Sequence, residues 1–226
     1  ATIPLDHHQQ CLADMIGLAF FFLLRPGECA HSPSDSTPFQ FRDVQLFRGI
    51  QRLDLLTASS AELQTATFAS LTFRDQKNGV RGELVGLGLS GHPPWCPVHA
   101  IRSRIKHLRQ HNAQPTTPLY RYFDRSWKNL DTASLTAQLR ITVTTLGHLY
   151  GIKPDEISVR SLRASGAMAL LCAKVDTDTI RLLGRWRSDE MLRYLHVQSY
   201  PILAPLASQM LTQGSFTLIP NPTRGG

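Results

Sequence analysis

The amino-acid sequence predicts a mixed α+β domain that is mainly helical and contains one small antiparallel sheet. Apolar residues recur at helical spacing in several stretches, and two short alternating stretches, residues 69–73 and 84–89, flank the dipeptide Asn78-Gly79. Asn-Gly between alternating apolar residues is the strongest short-range signal of a β-hairpin. The predicted helical stretches are residues 6–24, 97–111, 135–149, 159–174 and 177–184.

The first helix is predicted to begin at Asp6 and to end near Arg25. Pro26 disfavours helical geometry in the residue before it, and Gly27 follows directly. The longest apolar run covers residues 15–24 and is about half as long as a membrane-spanning helix needs to be. The sequence therefore predicts a buried helix and no membrane association.

Turn and capping residues define the remaining elements. The hairpin brings Lys77 to its turn or directly beside it. Ser158 is a suitable N-cap for the helix that follows it, and Gly184 ends the next, shorter helix. Ser188, followed by two acidic residues, is expected to begin a further helix that carries Tyr194.

The charge of the chain is strongly positive and is carried mostly by arginine. The chain has 226 residues, a formal net charge of +7 and a pI of ≈ 9.6. Nineteen of its 24 basic residues are arginine. For solubility alone, lysine would serve as well as arginine. The planar guanidinium group of arginine, however, binds phosphate oxygens two at a time. The composition therefore permits a polyanionic partner without establishing one.

Cysteine and histidine positions bear on the redox compartment and on metal binding. The four cysteines are scattered without a Cys-x-x-Cys pair, so an intracellular, reducing compartment is expected. His107 and His111 lie one helical turn apart and form a workable ligand pair. Because no second thiol is nearby, we expect surface or capping histidines and no metal site. The residues weighed for such a site are His92, Cys96, His99, His107 and His111.

Two arginines and a tyrosine have properties that suit an anion-binding site. Arg160 and Arg163 share one face of a predicted helix, where like charges repel unless an anion or a carboxylate lies between them. Glu156, one turn earlier, offers such a carboxylate, and an ordinary solvated helix face is the alternative. Tyr194 lies in a basic and aromatic segment, and cationic neighbours stabilise phenolate, a nucleophile for phosphodiesters.

Five short motifs follow one another along the chain: Arg25-x-x-Glu28, the hairpin residue Lys77, Arg160-x-x-Arg163, Leu183-Gly184-Arg185 followed by Trp186, and Tyr194. In this order they resemble the catalytic domain of the tyrosine recombinases, the phage integrase family. Each motif is weak alone, but together they cover residues 5–200, nearly the whole chain. The forms Arg-Pro-Gly-Glu and Gly-Arg-Trp resemble recombinases of eukaryotic mobile elements more than the common bacterial ones.

The resemblance implies a site-specific recombinase or integrase that cleaves and rejoins DNA through a 3′-phosphotyrosyl intermediate. Tyr194 would attack the scissile phosphate and release a 5′-hydroxyl. Arg25 and Arg163 would bind the non-bridging oxygens and stabilise the transition state, and Lys77 would protonate the departing 5′-oxygen. Glu28 would orient Arg25. Because the covalent intermediate conserves the bond energy, no metal or other cofactor is expected.

Two positions depart from the family's pattern, because Arg160 and Arg185 stand where the family has histidine. A guanidinium stays protonated at neutral pH and can only donate hydrogen bonds. Arg160 would then bind phosphate or stabilise the phenolate, and Trp186 offers an indole N–H beside Arg185. We expect an active enzyme. The alternatives are a catalytically decayed, recombinase-derived DNA-binding protein and a type IB topoisomerase-like enzyme.

The resemblance also implies a domain organisation and a set of partners. Residues 1–200 would form the catalytic domain, with the fold of the DNA breaking-rejoining enzymes. Residues 201–226 would form a C-terminal tail that either docks against a neighbouring protomer or packs in cis. The N-terminal core-binding domain of the family is expected to be absent. Expected partners are double-stranded DNA and further copies of the chain, as a tetramer on DNA, in the nucleus of a eukaryote or otherwise in the cytoplasm.

Overall fold

The computed structural model describes residues 6–33, 37–74, 83–147, 151–187, 189–193, 195, 200–206 and 208. Within these residues the fold is mixed α+β with a small antiparallel sheet, which confirms the predicted class. The helices are α1 (His7–Phe21), α2 (Pro26–Cys29), α3 (Ser60–Gln64), α4 (Pro97–Gln110), α5 (Thr132–Leu146), α6 (Val159–Cys172), α7 (Thr177–Gly184) and α8 (Tyr200–Leu203). The strands are β1 (Val44–Arg48), β2 (Gln51–Leu53), β3 (Phe68–Phe73), β4 (Glu83–Gly88), β5 (Arg121–Asp124) and β6 (Ser126–Asn129). Short 3-10 helices cover Phe41–Asp43, Pro154–Glu156 and Asp189–Arg193.

Helix α1 is bounded by a side-chain cap and by a left-handed residue. Asp6 accepts a hydrogen bond from the Gln9 backbone N–H at 2.7 Å and so caps the N-terminus. The helix ends at Phe21, earlier than the sequence predicts, because Leu23 adopts a left-handed φ of 51° shortly before the proline. Helix α1 packs against α4, α6 and β5. Among the described residues, none of the helices combines the length and the apolar character needed to cross a bilayer.

The larger sheet has the strand order β2-β1-β3-β4 and is antiparallel throughout. The predicted pairing of two hairpin strands is confirmed, because β3 and β4 pair along their full lengths. Their connection, residues 75–82 with Lys77, lies outside the described residues. Buried side chains of β1 and β3 join those of α1 and α4 in the main hydrophobic core.

A second, two-stranded sheet, formed by β5 and β6, has no counterpart in the sequence prediction. Its turn places Arg125 in the left-handed region, with a φ of 60°. The turn contains neither glycine nor asparagine, the residues that usually indicate such a conformation. The sheet was therefore not predictable from its turn. Strand β5 packs against α1, which brings its backbone close to that helix.

The helices of the second half begin at or near their predicted residues. Helix α5 begins at Thr132, before its predicted start, because Asp131 accepts a hydrogen bond from the Ser134 N–H at 2.7 Å. Apolar periodicity alone did not reveal this cap. Helix α6 follows its predicted N-cap Ser158, and α7 ends at Gly184 as predicted.

The prediction of an α-helix beginning at Ser188 is wrong in the type of helix. Residues 189–193 form a short 3-10 helix, and Tyr194 lies outside the described residues. Met191 and Leu195 are both buried in a small second core. A segment this short is stabilised by burying these side chains and not by a continuing helical hydrogen-bond pattern.

Candidate active site

Three arginines from different segments converge on the end of helix α1. Arg163 on α6 and Arg185 after α7 both donate to the main-chain carbonyl of Leu23. Arg185 also donates to the Phe22 carbonyl at 3.3 Å. Arg25 follows Leu23 closely in the chain. The carbonyls at the end of a helix have no partner within the helix, so they are available to these guanidinium groups.

Glu28 is the carboxylate shared by two of these arginines. Its Oε2 accepts from Arg185 Nη2 at 2.9 Å and from the Arg25 backbone N–H at 2.7 Å, and its Oε1 accepts from Arg25 Nη1 at 3.1 Å. Helix α2 begins at Pro26, which suits a first helical position, and this places Glu28 where it caps the Arg25 N–H. The side chains of Arg185 and Glu28 are only 1% and 9% exposed, so this ion pair is buried. Arg25, Glu28, Arg163 and Arg185 are named the arginine cluster.

Gly166 allows α6 to lie close enough to α1 for Arg163 to reach the cluster. A Cβ atom at residue 166 would lie 2.3 Å from the Phe20 carbonyl oxygen and 2.5 Å from Leu23 Cδ2. Only glycine fits such a close approach of two backbones. The part played by Gly166 was not predictable from the sequence, because a single glycine inside a regular helical pattern does not reveal what the helix packs against.

Trp186 forms one wall of the cluster, and its position depends on Gly184. The guanidinium carbon of Arg163 lies 4.1 Å from the ring centroid of Trp186, within cation–π distance. Arg163 Nη2 also donates to the Gly184 carbonyl. A Cβ atom at residue 184 would lie only 1.7 Å from the Trp186 ring. A side chain at residue 184 would therefore force the ring away from Arg163.

Gly184→Ala is expected to lower the free energy of unfolding by about 2–4 kcal/mol, because a buried ring must move. Urea denaturation measures this change. Gly17→Ala is the matched control, since a Cβ atom at that buried position of α1 would meet nothing within 4 Å. The control is expected to be neutral or to stabilise by up to about 1 kcal/mol. Equal stabilities of the two variants would contradict the described packing of Trp186.

Phe73, the last residue of β3, connects the sheet to the arginine cluster. The guanidinium carbon of Arg185 lies 3.6 Å from the centroid of its ring. The side chain of Arg185 is therefore held by the Glu28 carboxylate, by main-chain carbonyls and by an aromatic face. Phe73 belongs to an alternating apolar stretch of the sequence, but its part in the site was not predictable, because the contact joins segments far apart in the chain.

Arg25 and Arg160 are the accessible arginines among the predicted site residues that the structure describes. The side chain of Arg25 is 25% exposed. Arg160 is exposed on α6, one turn before Arg163, and takes part in none of the hydrogen bonds of the cluster described above. The cluster itself holds three guanidinium groups and one carboxylate, so it favours an anion at its accessible edge.

Lys77 and Tyr194, the predicted general acid and nucleophile, lie outside the described residues. Met191 and Leu195 lie on either side of the predicted nucleophile in the chain. Met191 and Leu195 pack in the same small core as Trp186, which stacks on the Arg163 guanidinium. The segment that carries the predicted nucleophile is therefore anchored beside the arginine cluster at both of these residues.

No protein-family model matches this chain, and no curated protein matches it either. The features of the chain that indicate a function are its sequence motifs and the geometry of the arginine cluster. The donors of this cluster are guanidinium groups, which bind anions and not metal ions.

Proposed function

We propose that this chain is the catalytic domain of a tyrosine recombinase, which cleaves and rejoins double-stranded DNA through a 3′-phosphotyrosyl intermediate. The observation that carries the proposal is the convergence of Arg25, Arg163 and Arg185 at the end of α1. Arg185 and its partner Glu28 are 157 residues apart in the sequence, yet they form a buried ion pair. Three of the five motifs that resemble the family therefore share one location.

In the proposed reaction the phenolic oxygen of Tyr194 attacks the scissile phosphorus, and the bond from phosphorus to the 5′-oxygen breaks. Lys77 protonates the departing 5′-oxygen. The phenol proton passes to solvent, because Arg160 has no lone pair with which to accept it. The 5′-hydroxyl of another strand then attacks the phosphotyrosyl bond, which restores the DNA backbone and releases the tyrosine. Bond energy is conserved throughout.

The arginines have different parts in this proposal. Arg25 is partly exposed and is oriented by two hydrogen bonds to Glu28, so it binds the non-bridging phosphate oxygens. A preorganised donor of this kind typically contributes about 10²–10³ in rate. Arg160 adds positive charge at the surface one turn from Arg163. Arg185 is a positioning residue, because its guanidinium is used to hold Glu28 and the end of α1.

One observation favours a second candidate function, that of a recombinase-derived protein that binds DNA without cleaving it. Arg163 and Arg185 direct guanidinium donors to main-chain carbonyls and to Glu28. Such contacts stabilise the fold whether or not the protein is catalytic. A type IB topoisomerase-like enzyme would use the same chemistry but would relax DNA instead of exchanging strands.

Incubation of the chain with nicked duplexes of randomised sequence tests the proposal. Cleavage near the nick releases a short strand, so the covalent adduct cannot be resealed and accumulates on a denaturing gel. We expect an adduct with the wild-type chain and with the control Tyr200→Phe, and none with Tyr194→Phe. Binding without any adduct would favour the non-catalytic candidate. Relaxation of supercoiled plasmid without strand exchange would favour the topoisomerase-like enzyme.

A further inference from the structure

Three histidines without a part in the proposed recombination chemistry lie side by side near the ends of α1 and α4. His7 is the first residue of α1, His107 lies in the last turn of α4, and His111 directly follows that helix. The ring centroid of His107 lies 4.8 Å from that of His7 and 4.8 Å from that of His111. The ring centroids of His7 and His111 are 5.6 Å apart. One ring nitrogen of each histidine lies within 4.8 Å of the others.

These separations are close to those expected around one tetrahedral metal ion. With a Zn–N distance of about 2.0–2.1 Å, each ring centroid lies about 3.2 Å from the ion, and two ligating rings lie about 5 Å apart. The ligating nitrogens of such a site are about 3.3 Å apart. Closing the site therefore requires side-chain rotations that bring nitrogens now up to 4.8 Å apart closer together.

Phe123 of strand β5 contacts all three rings. Nδ1 of His7 lies 2.7 Å from the Phe123 carbonyl oxygen, which can only accept, so Nδ1 carries a proton and Nε2 is the nitrogen left for a metal ion. Metal-binding histidines commonly donate their second N–H to a backbone carbonyl in this way. His111 stacks on the Phe123 ring, with centroids 4.4 Å apart and ring planes at 16°.

His107 is the buried member of the three. Burial and the nearby Arg104 guanidinium lower the pKa of His107 to about 4. Its Nε2 accepts a hydrogen bond from the Phe123 backbone N–H at 2.9 Å. A neutral imidazole has one such lone pair, so coordination exchanges this hydrogen bond for a metal bond. The exchange lowers the affinity below that of a preformed site.

An open cleft beside the histidines gives an ion access from solvent. Its volume is ≈ 420 Å³, and His7 forms part of its lining. The lining includes two carboxylates, of which that of Asp124 already pairs with Lys128 Nζ at 2.6 Å. The lining residues are Asp6, His7, His8, Tyr122 and Asp124.

We propose that His7, His107 and His111 form a Zn²⁺-binding site with water as the fourth ligand. Three imidazoles suit a borderline ion such as Zn²⁺, whereas Mg²⁺ and Ca²⁺ prefer oxygen ligands. The bound ion ties the first turn of α1 to the end of α4. This site shares no residue with the arginine cluster, so the proposal does not depend on the proposed function.

Calorimetric titration of the metal-free chain with ZnCl₂ tests the site. We expect one Zn²⁺ per chain and a Tm that rises with Zn²⁺ concentration. His7→Gln and His111→Gln each remove a ligand, so each is expected to weaken binding by about tenfold or more and to reduce the rise in Tm at a given Zn²⁺ concentration. His8→Gln changes the same cleft but none of the three ligands, and it is expected to bind Zn²⁺ like the wild type.

Co²⁺ provides a spectroscopic readout, because tetrahedral Co²⁺ absorbs visible light much more strongly than hydrated Co²⁺. His7 is exposed and His111 half-buried, so the variants are expected to fold, which circular dichroism checks. Absence of Zn²⁺ binding by the wild type would overturn the proposal. Equal binding by the wild type and the double variant His7→Gln/His111→Gln would overturn it as well.

Discussion

Arg163→Lys is expected to lower the free energy of unfolding by about 3 kcal/mol and to abolish DNA cleavage. The guanidinium of Arg163 donates to the carbonyls of Leu23 and Gly184, and it stacks on Trp186. An ammonium group is a point charge that cannot contact two separate carbonyls and stack on a ring at once. Each buried acceptor that loses its donor costs about 1–3 kcal/mol.

Urea denaturation measures the stability of the Arg163→Lys variant, and the adduct assay on nicked DNA measures its cleavage under conditions in which it is folded. Arg160→Lys is the matched control, because Arg160 lies one turn earlier on the same helix and is exposed. The control is expected to change stability by less than about 0.5 kcal/mol. If Arg163→Lys were as stable as the wild type, the buried contacts described for Arg163 would be wrong.

Glu28→Gln is expected to cost about 3–5 kcal/mol of stability, because breaking a buried ion pair at one partner leaves the other charge in the interior. Among the described residues, Glu28 is the carboxylate that pairs with Arg185, whose side chain is 1% exposed. The substitution also weakens the orientation of Arg25, which binds both Glu28 oxygens. DNA cleavage is therefore expected to fall together with stability.

A double-mutant cycle separates the ion pair from the other contacts of its members. Glu28→Gln/Arg185→Gln is expected to be less destabilised than the sum of the two single variants. Asp178→Asn serves as the control, since Asp178 pairs with Arg181 at 3.0 Å with 78% of its side chain exposed. The control is expected to cost less than about 1 kcal/mol. A comparably small cost for Glu28→Gln would contradict a buried pair.

Under the proposed function, position 185 corresponds to a histidine, and the arginine found there has a physical explanation in this fold. Its side chain reaches Glu28, the Phe22 and Leu23 carbonyls and the face of Phe73. An imidazole is shorter and has only two nitrogens, so it cannot make these contacts together. Under the proposed function, Arg185 stabilises the site through these buried contacts, and Arg25 contacts the phosphate.

Elements with a local cause were predictable from the sequence. Ser158 precedes α6 as its N-cap, Gly184 ends α7, and the alternating stretches on either side of Asn78-Gly79 became the paired strands β3 and β4. In each case the signal and the structure lie within a few residues of each other. The sequence therefore predicted the start of α6, which carries Arg163, and the end of α7, which directly precedes Arg185.

Contacts between distant segments were not predictable in this way. Arg163 and Leu23 are 140 residues apart, and His7 and Phe123 are 116 residues apart. Sequence proximity groups His107 with histidines of its own segment, whereas the structure places it beside His7 at the start of α1. Tertiary packing of α1 against α4 and β5 decides these neighbours, and no local pattern encodes it.

Identifying the residue that becomes linked to DNA tests the central claim most directly. The adduct formed on nicked DNA is digested with nuclease and protease, and mass spectrometry locates the remaining nucleotide on a peptide. The proposed mechanism predicts that the nucleotide is attached to Tyr194. Attachment to another residue such as Tyr200, or no attachment while DNA remains bound, would contradict it.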